Sequence, residues 1–271
     1  MSTQWSDLER PPLREASLRQ ALVTDLTLWS DVRVVAQSPS TNADVAAAAR
    51  AGAPEGLVVV AEQQTAGRGR LDRAWTSPPR AGLTFSVLLR PTFALATWGW
   101  LPLLAGLAVA GPLGRLSGLD VRLKWPNDVL VGARKLGGIL TEVVDDGAGV
   151  VVGIGLNVSS REDELPVPTA TSLAVEGSEV VDRDPLLRAV LREIERRYGG
   201  LALAGGDALA CGLGDAYREA CATLGRQVRV ELPGSRVVEG EAVDIDGEGR
   251  LVVAGADGRV PVGAGDVVHV R

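Results

Sequence analysis

Three arginines and two glycines crowd into the eleven residues TAGRGRLDRAW, Thr65 to Trp75. Paired glycines let backbone N–H groups turn toward one anion, and arginine adds a planar fork of donors that fits carboxylate or phosphate. The stretch follows the apolar run GLVVVAEQ, which reads as a buried strand and would anchor one end. It lacks the third glycine of a dinucleotide fingerprint, and no glycine-rich loop ending in Lys-Ser or Lys-Thr occurs anywhere in the chain. Taken alone, the stretch is most simply a solvated turn.

Four other stretches carry side chains that could act on the same anion. KWPNDVL, Lys124 to Leu130, places Asn127 and Asp128 after a proline. That is an ordinary turn, or a pocket rim where a carboxylate holds a magnesium ion or orients an amine. In RKLGGILTEV, Lys135 opens a strand that Gly137 and Gly138 interrupt. Glycine inside a strand costs stability and marks a close approach, so the lysine would point at a ligand there; otherwise it is a surface lysine after a hairpin. GIGLNV, Gly153 to Val158, repeats the pattern and ends on Asn157. SPSTN, Ser38 to Asn42, reads first as a helix cap and second as a polar head that could read a small ligand.

The totals exclude several chemistries. Net charge is −6 and the pI about 5.0, the opposite of the basic balance expected of a dedicated nucleic-acid binder. The single histidine, His269, stands two residues from the end, where it reads as a surface residue; zinc and Ser-His-Asp hydrolases need histidines elsewhere. Cys211 and Cys221 lie ten apart in what reads as helix, without metal or redox spacing. The polar N-terminus is no signal peptide. The run Trp98 to Gly114 is apolar but holds two prolines and falls short of the ~20 residues that span a bilayer. A buried core helix is the better reading, and a cytoplasmic protein is expected.

The elements that must position these residues alternate along the chain. Residues 1–14 read as disordered within an N-terminal segment 1–31, with a short helix from Ser17 to Leu26. Strands are expected at Val32 to Gln37, in GLVVVAEQ, LTFSVLLR, VRLKW, DVLV, KLGGILTEVV and GVVVGIGLNV. Helices are expected from Ser40 or Thr41 to Gly52, over Thr97 to Leu116, over DPLLRAVLREIERRYGGL with Asp184 as cap, and over Asp207 to Leu224. After Gly225 the texture changes to short strands broken by turns such as DGEG. This sets a catalytic domain at 32–224 and a small β-barrel at 225–271, in an α/β protein of α+β type with a mixed sheet.

Together, and in this order, the motifs resemble the biotin protein ligases. STN at 40–42, QTAGRGR at 64–70 with Trp75 beyond, KWPND at 124–128, KLGGIL at 135–140 and GIGLNV at 153–158 carry the resemblance, which spans residues 32–224 and continues into the small β-domain. It implies a catalytic sheet like that of class II aminoacyl-tRNA synthetases. It implies biotin and ATP as substrates, with Mg²⁺, no dedicated metal ligands and Asp128 as the neighbouring carboxylate. The reaction implied gives biotinyl-5′-adenylate and then transfers biotin to a lysine of a carrier domain of acyl-CoA or pyruvate carboxylases. By position, Ser40, Thr41, Asn42 and Gln64 would read the ureido ring. Arg68, Gly69 and Arg70 would hold the carboxylate and then the adenylate. Lys135, with Gly138 beside it, would bridge biotin carboxylate and α-phosphate. Trp75, Asn127, Asp128 and Asn157 would surround the nucleotide. Lys135, Arg70 and Asp128 are the expected catalytic residues. Residues 1–31 are too few for the DNA-binding winged helix of bifunctional relatives, so no DNA and no membrane partner is expected, and a monomer or weak homodimer is. After Arg70 the chain departs from the usual small, basic continuation, and Asp72 offsets part of the loop's charge. The rivals are a lipoate ligase or octanoyltransferase, a biotin-responsive repressor, and an inactive carrier-binding module.

Overall fold

The computed structural model describes residues 10–144, 147–232, 236–256, 258–263 and 265–270. Residues 1–9 of the expected disordered tail lie outside them. Residues 10–14 do not trail: Arg10 and Leu13 are buried, and Arg10 pairs with Glu164 at 2.6 Å. Helix α1 (Glu15–Leu22) follows, shorter than expected.

Strand β1 (Asp31–Val35), helix α2 (Thr41–Arg50) and strand β2 (Leu57–Ala61) form a unit in which the two strands are parallel. Five alanines give α2 its helical propensity. The Ser40 hydroxyl caps its first turn by accepting from the Ala43 N–H. The arginine loop holds a two-strand hairpin, β3 (Gly67–Arg68) against β4 (Ala74–Trp75). Then come β5 (Gly82–Leu89), helix α3 (Trp100–Ser117), β6 (Val121–Lys124), β7 (Asp128–Val131), β8 (Arg134–Val144) and β9 (Gly149–Asn157). The main sheet has seven strands in the order β1-β2-β5-β9-β8-β7-β6, and every pairing after β1–β2 is antiparallel.

The period of two along these strands sorts the two faces. Val58, Val60, Phe85, Val87, Val150 and Val152 enter the larger core, under α3 and helix α4 (Arg183–Leu203). Leu57, Val59, Leu88, Val144 and Val151 face the other way and are covered by Val45 and Ala49 of α2. α2 is short, so it covers only part of its face. Beyond its N-terminus the same rows of the sheet continue as Ser86, Thr84, Gly153 and Gly155, small or polar residues where an apolar cover ends.

Helix α5 (Leu213–Ala220) is much shorter than the helix expected over 207–224. Glycines with positive φ at Gly205, Gly206 and Gly212 punctuate the approach, so Cys211 sits in a turn and Cys221 just past the helix. The last strands, β10 (Gln227–Glu231), β11 (Val237–Ile245), β12 (Leu251–Gly255), β13 (Gly258–Val262) and β14 (Asp266–His269), form an antiparallel sheet in the order β13-β12-β11-β10-β14. Its apolar residues join the main core without a break. Two tryptophans cross the junction: Trp100 Nε1 donates to Gly247 O (2.9 Å) and Trp125 Nε1 to Gly249 O (3.1 Å).

Candidate active site

A cavity of about 310 Å3 opens on the uncovered part of the sheet, beside the N-terminus of α2. That is at the small end of the roughly 300–1,000 Å3 typical of small-molecule sites. Ser40, Thr41, Asn42, Gln64, Arg68, Gly69, Arg70, Trp75, Asn127, Asp128, Lys135, Gly138 and Asn157 all line it. The structure thus brings together every residue expected to bind substrate or act on it, from six separate segments.

One end is a polar cluster. Gln64 Oε1 accepts from the Thr41 N–H (2.8 Å) and lies 3.0 Å from the Thr41 hydroxyl. Asn42 is buried; its amide donates to Glu142 Oε2 at 2.6 Å, and its Oδ1 accepts from Ser86 Oγ at 2.6 Å. A Cβ on Gly153 would overlap that Oδ1. One on Gly155 would come within 2.5 Å of the Trp75 ring. The glycines of GIGLNV therefore make room for Asn42 and Trp75, which in turn form the cavity wall. Trp75 Nε1 is buried with no hydrogen-bond partner among the described residues.

The other end concentrates charge. Lys135 Nζ pairs with Asp128 at 2.6 Å across β7 and β8, where a bulge at Leu136 breaks the register. Gly138 lies under the Lys135 head: a Cβ there would be in ordinary contact with Nζ, at 3.4 Å. Asn127 is clamped to β8 through Nδ2 to Ile139 O (2.9 Å), and Asn157 to Thr171 O (2.9 Å). Arg70 donates to Asn127 Oδ1 (3.4 Å) and Gly265 O (3.1 Å). Burial pushes the Arg70 pKa down, with Asp266 and Asp128 partly opposing, yet arginine keeps its charge at neutral pH. The Gly69 N–H is committed to Arg73 O at 2.6 Å, so in this conformation the loop presents arginine side chains rather than a nest of glycine amides. Among the described residues no group of three His, Cys, Asp or Glu side chains could hold a metal ion.

Residues 34–159 match the Biotin/lipoate A/B protein ligase family and residues 223–270 the Biotin protein ligase C terminal domain. A biotin–[acetyl-CoA-carboxylase] ligase of Mycobacterium tuberculosis is 45% identical over 98% of this chain and 98% of its own. The chain belongs to the biotin protein ligase family. A bifunctional ligase/repressor BirA of Bacillus spizizenii is 32% identical over 94% of this chain and 78% of its own. The biotin protein ligase of Aquifex aeolicus in complex with biotin and ATP superposes with a TM-score of 0.74, at 27% identity, over 90% of this chain and all of that one.

Within this biotin protein ligase fold, several residues escape sequence reading. Ser86 and Glu142 hold Asn42 from strands that carry no motif residue at those positions. Lys124, from KWPND itself, lines the charged end, as do Asp266 and Val267 of β14. Asp266 also forms an ion pair with Arg73 of the loop. Only Lys124 had a signal in the sequence, as the first residue of its motif.

Proposed function

We propose that this chain activates biotin with ATP and transfers it to a biotin carboxyl carrier domain. The carrying observation is the polarity of one cavity: hydroxyls and amides at the α2 end, cations at the other. The relatives named above, a biotin–[acetyl-CoA-carboxylase] ligase and a ligase seen with biotin and ATP, support the same reading.

Ser40, Thr41, Asn42 and Gln64 bind the ureido ring. Arg68 and Arg70 hold the carboxylate against the nucleotide, which Trp75, Asn127, Asp128 and Asn157 surround. A carboxylate oxygen attacks the α-phosphorus and pyrophosphate leaves. Both partners are anions, so the step needs positioning and fixed positive charge more than proton transfer. Lys135 supplies that charge, and Asp128 holds its ammonium in place. The mixed anhydride must be kept from water, which Trp75 and the loop accomplish. A lysine amine of the carrier then attacks the acyl carbon and AMP leaves.

Mg²⁺ arrives with ATP on this reading. Magnesium takes one or two carboxylates beside phosphate and water oxygens, and Asp128 is a carboxylate in the right end of the cavity. When bound it neutralises phosphate charge. The carriers are those of acyl-CoA or pyruvate carboxylases, the protein works in the cytoplasm as a monomer or weak homodimer, and DNA has no part in it; the acidic pI supports the last point.

Incubation with ATP and biotin, read by mass spectrometry for biotinyl-adenylate, tests the reading, with calorimetry against biotin and lipoate to separate the nearest rival. Lipoate binding without biotin binding would replace it.

A further inference from the structure

Glu142 lies two residues past KLGGIL on the same strand and grips both halves of the biotin-binding apparatus. Its Oε2 accepts from the Asn42 amide at 2.6 Å, and its Oε1 accepts from Arg68 Nη2 at 3.3 Å. The Arg68 contact alone is a half-exposed ion pair, the kind worth little. The Asn42 contact differs: short, charge-assisted and made to a buried side chain.

The Asn42 contact also settles where the protons lie. Asn42 Nδ2 is committed to Glu142 and to Leu140 O (3.2 Å), so Oδ1 must face Ser86 and accept. Ser86 is fully buried on β5 and has one proton, which goes to Asn42. Its remaining neighbour is the Thr41 hydroxyl at 2.7 Å, which must then donate to Ser86, because two hydroxyl oxygens that close need a proton between them, and keeps its lone pairs for an incoming N–H. An acceptor at the far end of the row thus orients every group before it, and such rows strengthen cooperatively.

We propose that Glu142 is a positioning residue for biotin: it sets the Asn42 amide and the proton order of Ser86 and Thr41, and ties that row to Arg68 of the loop. This rests on the biotin reading of the cavity. Recognition of the ureido ring and placement of the loop arginine are then one network, joined at one carboxylate. The nucleotide end, built on Lys135, Asp128 and Asn127, shares none of these bonds.

The test is Glu142→Gln in the full chain. Glutamine keeps the shape but can accept on one side only; its NH₂ then faces a second donor. The biotin KM should rise about tenfold, the loss of one strong contact, while the ATP KM and the melting temperature stay unchanged. Ser86→Ala, isosteric but for the hydroxyl, should show the same biotin-only loss. In a double-mutant cycle, Glu142→Gln should add little on top of Asn42→Ala, because it acts through that amide. Equal rises in both KM values, an unchanged biotin KM, or additivity with Asn42→Ala would overturn the role of Glu142. Failure of the wild-type chain to bind biotin would instead overturn the reading of the cavity.

Discussion

Lys135 is the side chain on which the chemistry most depends, and the structure makes its removal a clean experiment. It is partly exposed near the head of β8, where it forms an ion pair with Asp128. Lys135→Ala should therefore fold normally but lose adenylate formation by about two to three orders of magnitude, because a fixed charge on a developing anion is worth roughly 3–4 kcal/mol. Near-normal turnover would remove Lys135 from the mechanism. Gly153→Ala probes the opposite end. The new methyl would displace Asn42, so biotin affinity should fall at least about tenfold while ATP binding holds; unchanged biotin titration would show that Asn42 need not sit there. These residues are legible because glycine inside a strand and lysine before a glycine pair are anomalies a sequence displays. Ser86 and Glu142 are not. A lone serine in one apolar strand and a lone glutamate near the end of another have ordinary meanings, and only the pairing of β5, β8 and β9 under α2 gives them partners 44 and 100 residues away.

Element by element, the strands of the main sheet were readable from their apolar runs, and α2 from its alanines and cap. The second late helix was overextended because its apolar spacing ignores glycines that break it, and the α4 cap is Asp182 rather than Asp184. The arginine loop defied reading most. It is a hairpin with Leu71 at φ +53°, fastened to the last strand through Arg70 on Gly265 O and Arg73 on Asp266. Such a loop can act as a lid whose hold on the adenylate depends on Arg70. Arg70→Gly should release pre-formed biotinyl-adenylate faster than wild type, while Lys135 still supports its synthesis. Escaped adenylate would label lysines on an added bystander protein, visible by streptavidin blotting. Equal release rates and no bystander labelling would return the loop to a solvated turn.

At the scale of the whole molecule, long-range pairs join what the sequence separates. Residues 10–14 read as disordered because their partners are remote in sequence. Arg183 pairs with Glu62 at 2.6 Å, both nearly buried, and it also binds Pro11 O (2.7 Å), while Glu62 takes the Leu13 N–H at 2.7 Å. Arg183→Ala leaves a buried carboxylate unpaired and should cost about 3–5 kcal/mol, read as a fall in the denaturation midpoint; a loss below about 1 kcal/mol, the worth of an exposed pair, would show that Glu62 finds water. His269 makes the second such join. It is half-buried rather than a free surface residue, 3.3 Å from Thr223 Oγ1, which also accepts from the Trp125 N–H ahead of Asn127 and Asp128. Burial, then Lys124 and Arg226, hold its pKa below the ordinary value. The sign follows. Below about pH 6.5 the unfolded histidine takes up a proton more readily than the folded one, so stability falls with acid from there down to the folded pKa. Because the chain has one histidine and most carboxylates titrate lower, the slope between about pH 7 and 5.5 isolates this residue. Wild type should melt at progressively lower temperature across that window, and His269→Gln should melt with a flatter profile. Parallel profiles for the two proteins would mean that protonating His269 does not strain the junction between the last strand and the KWPND turn.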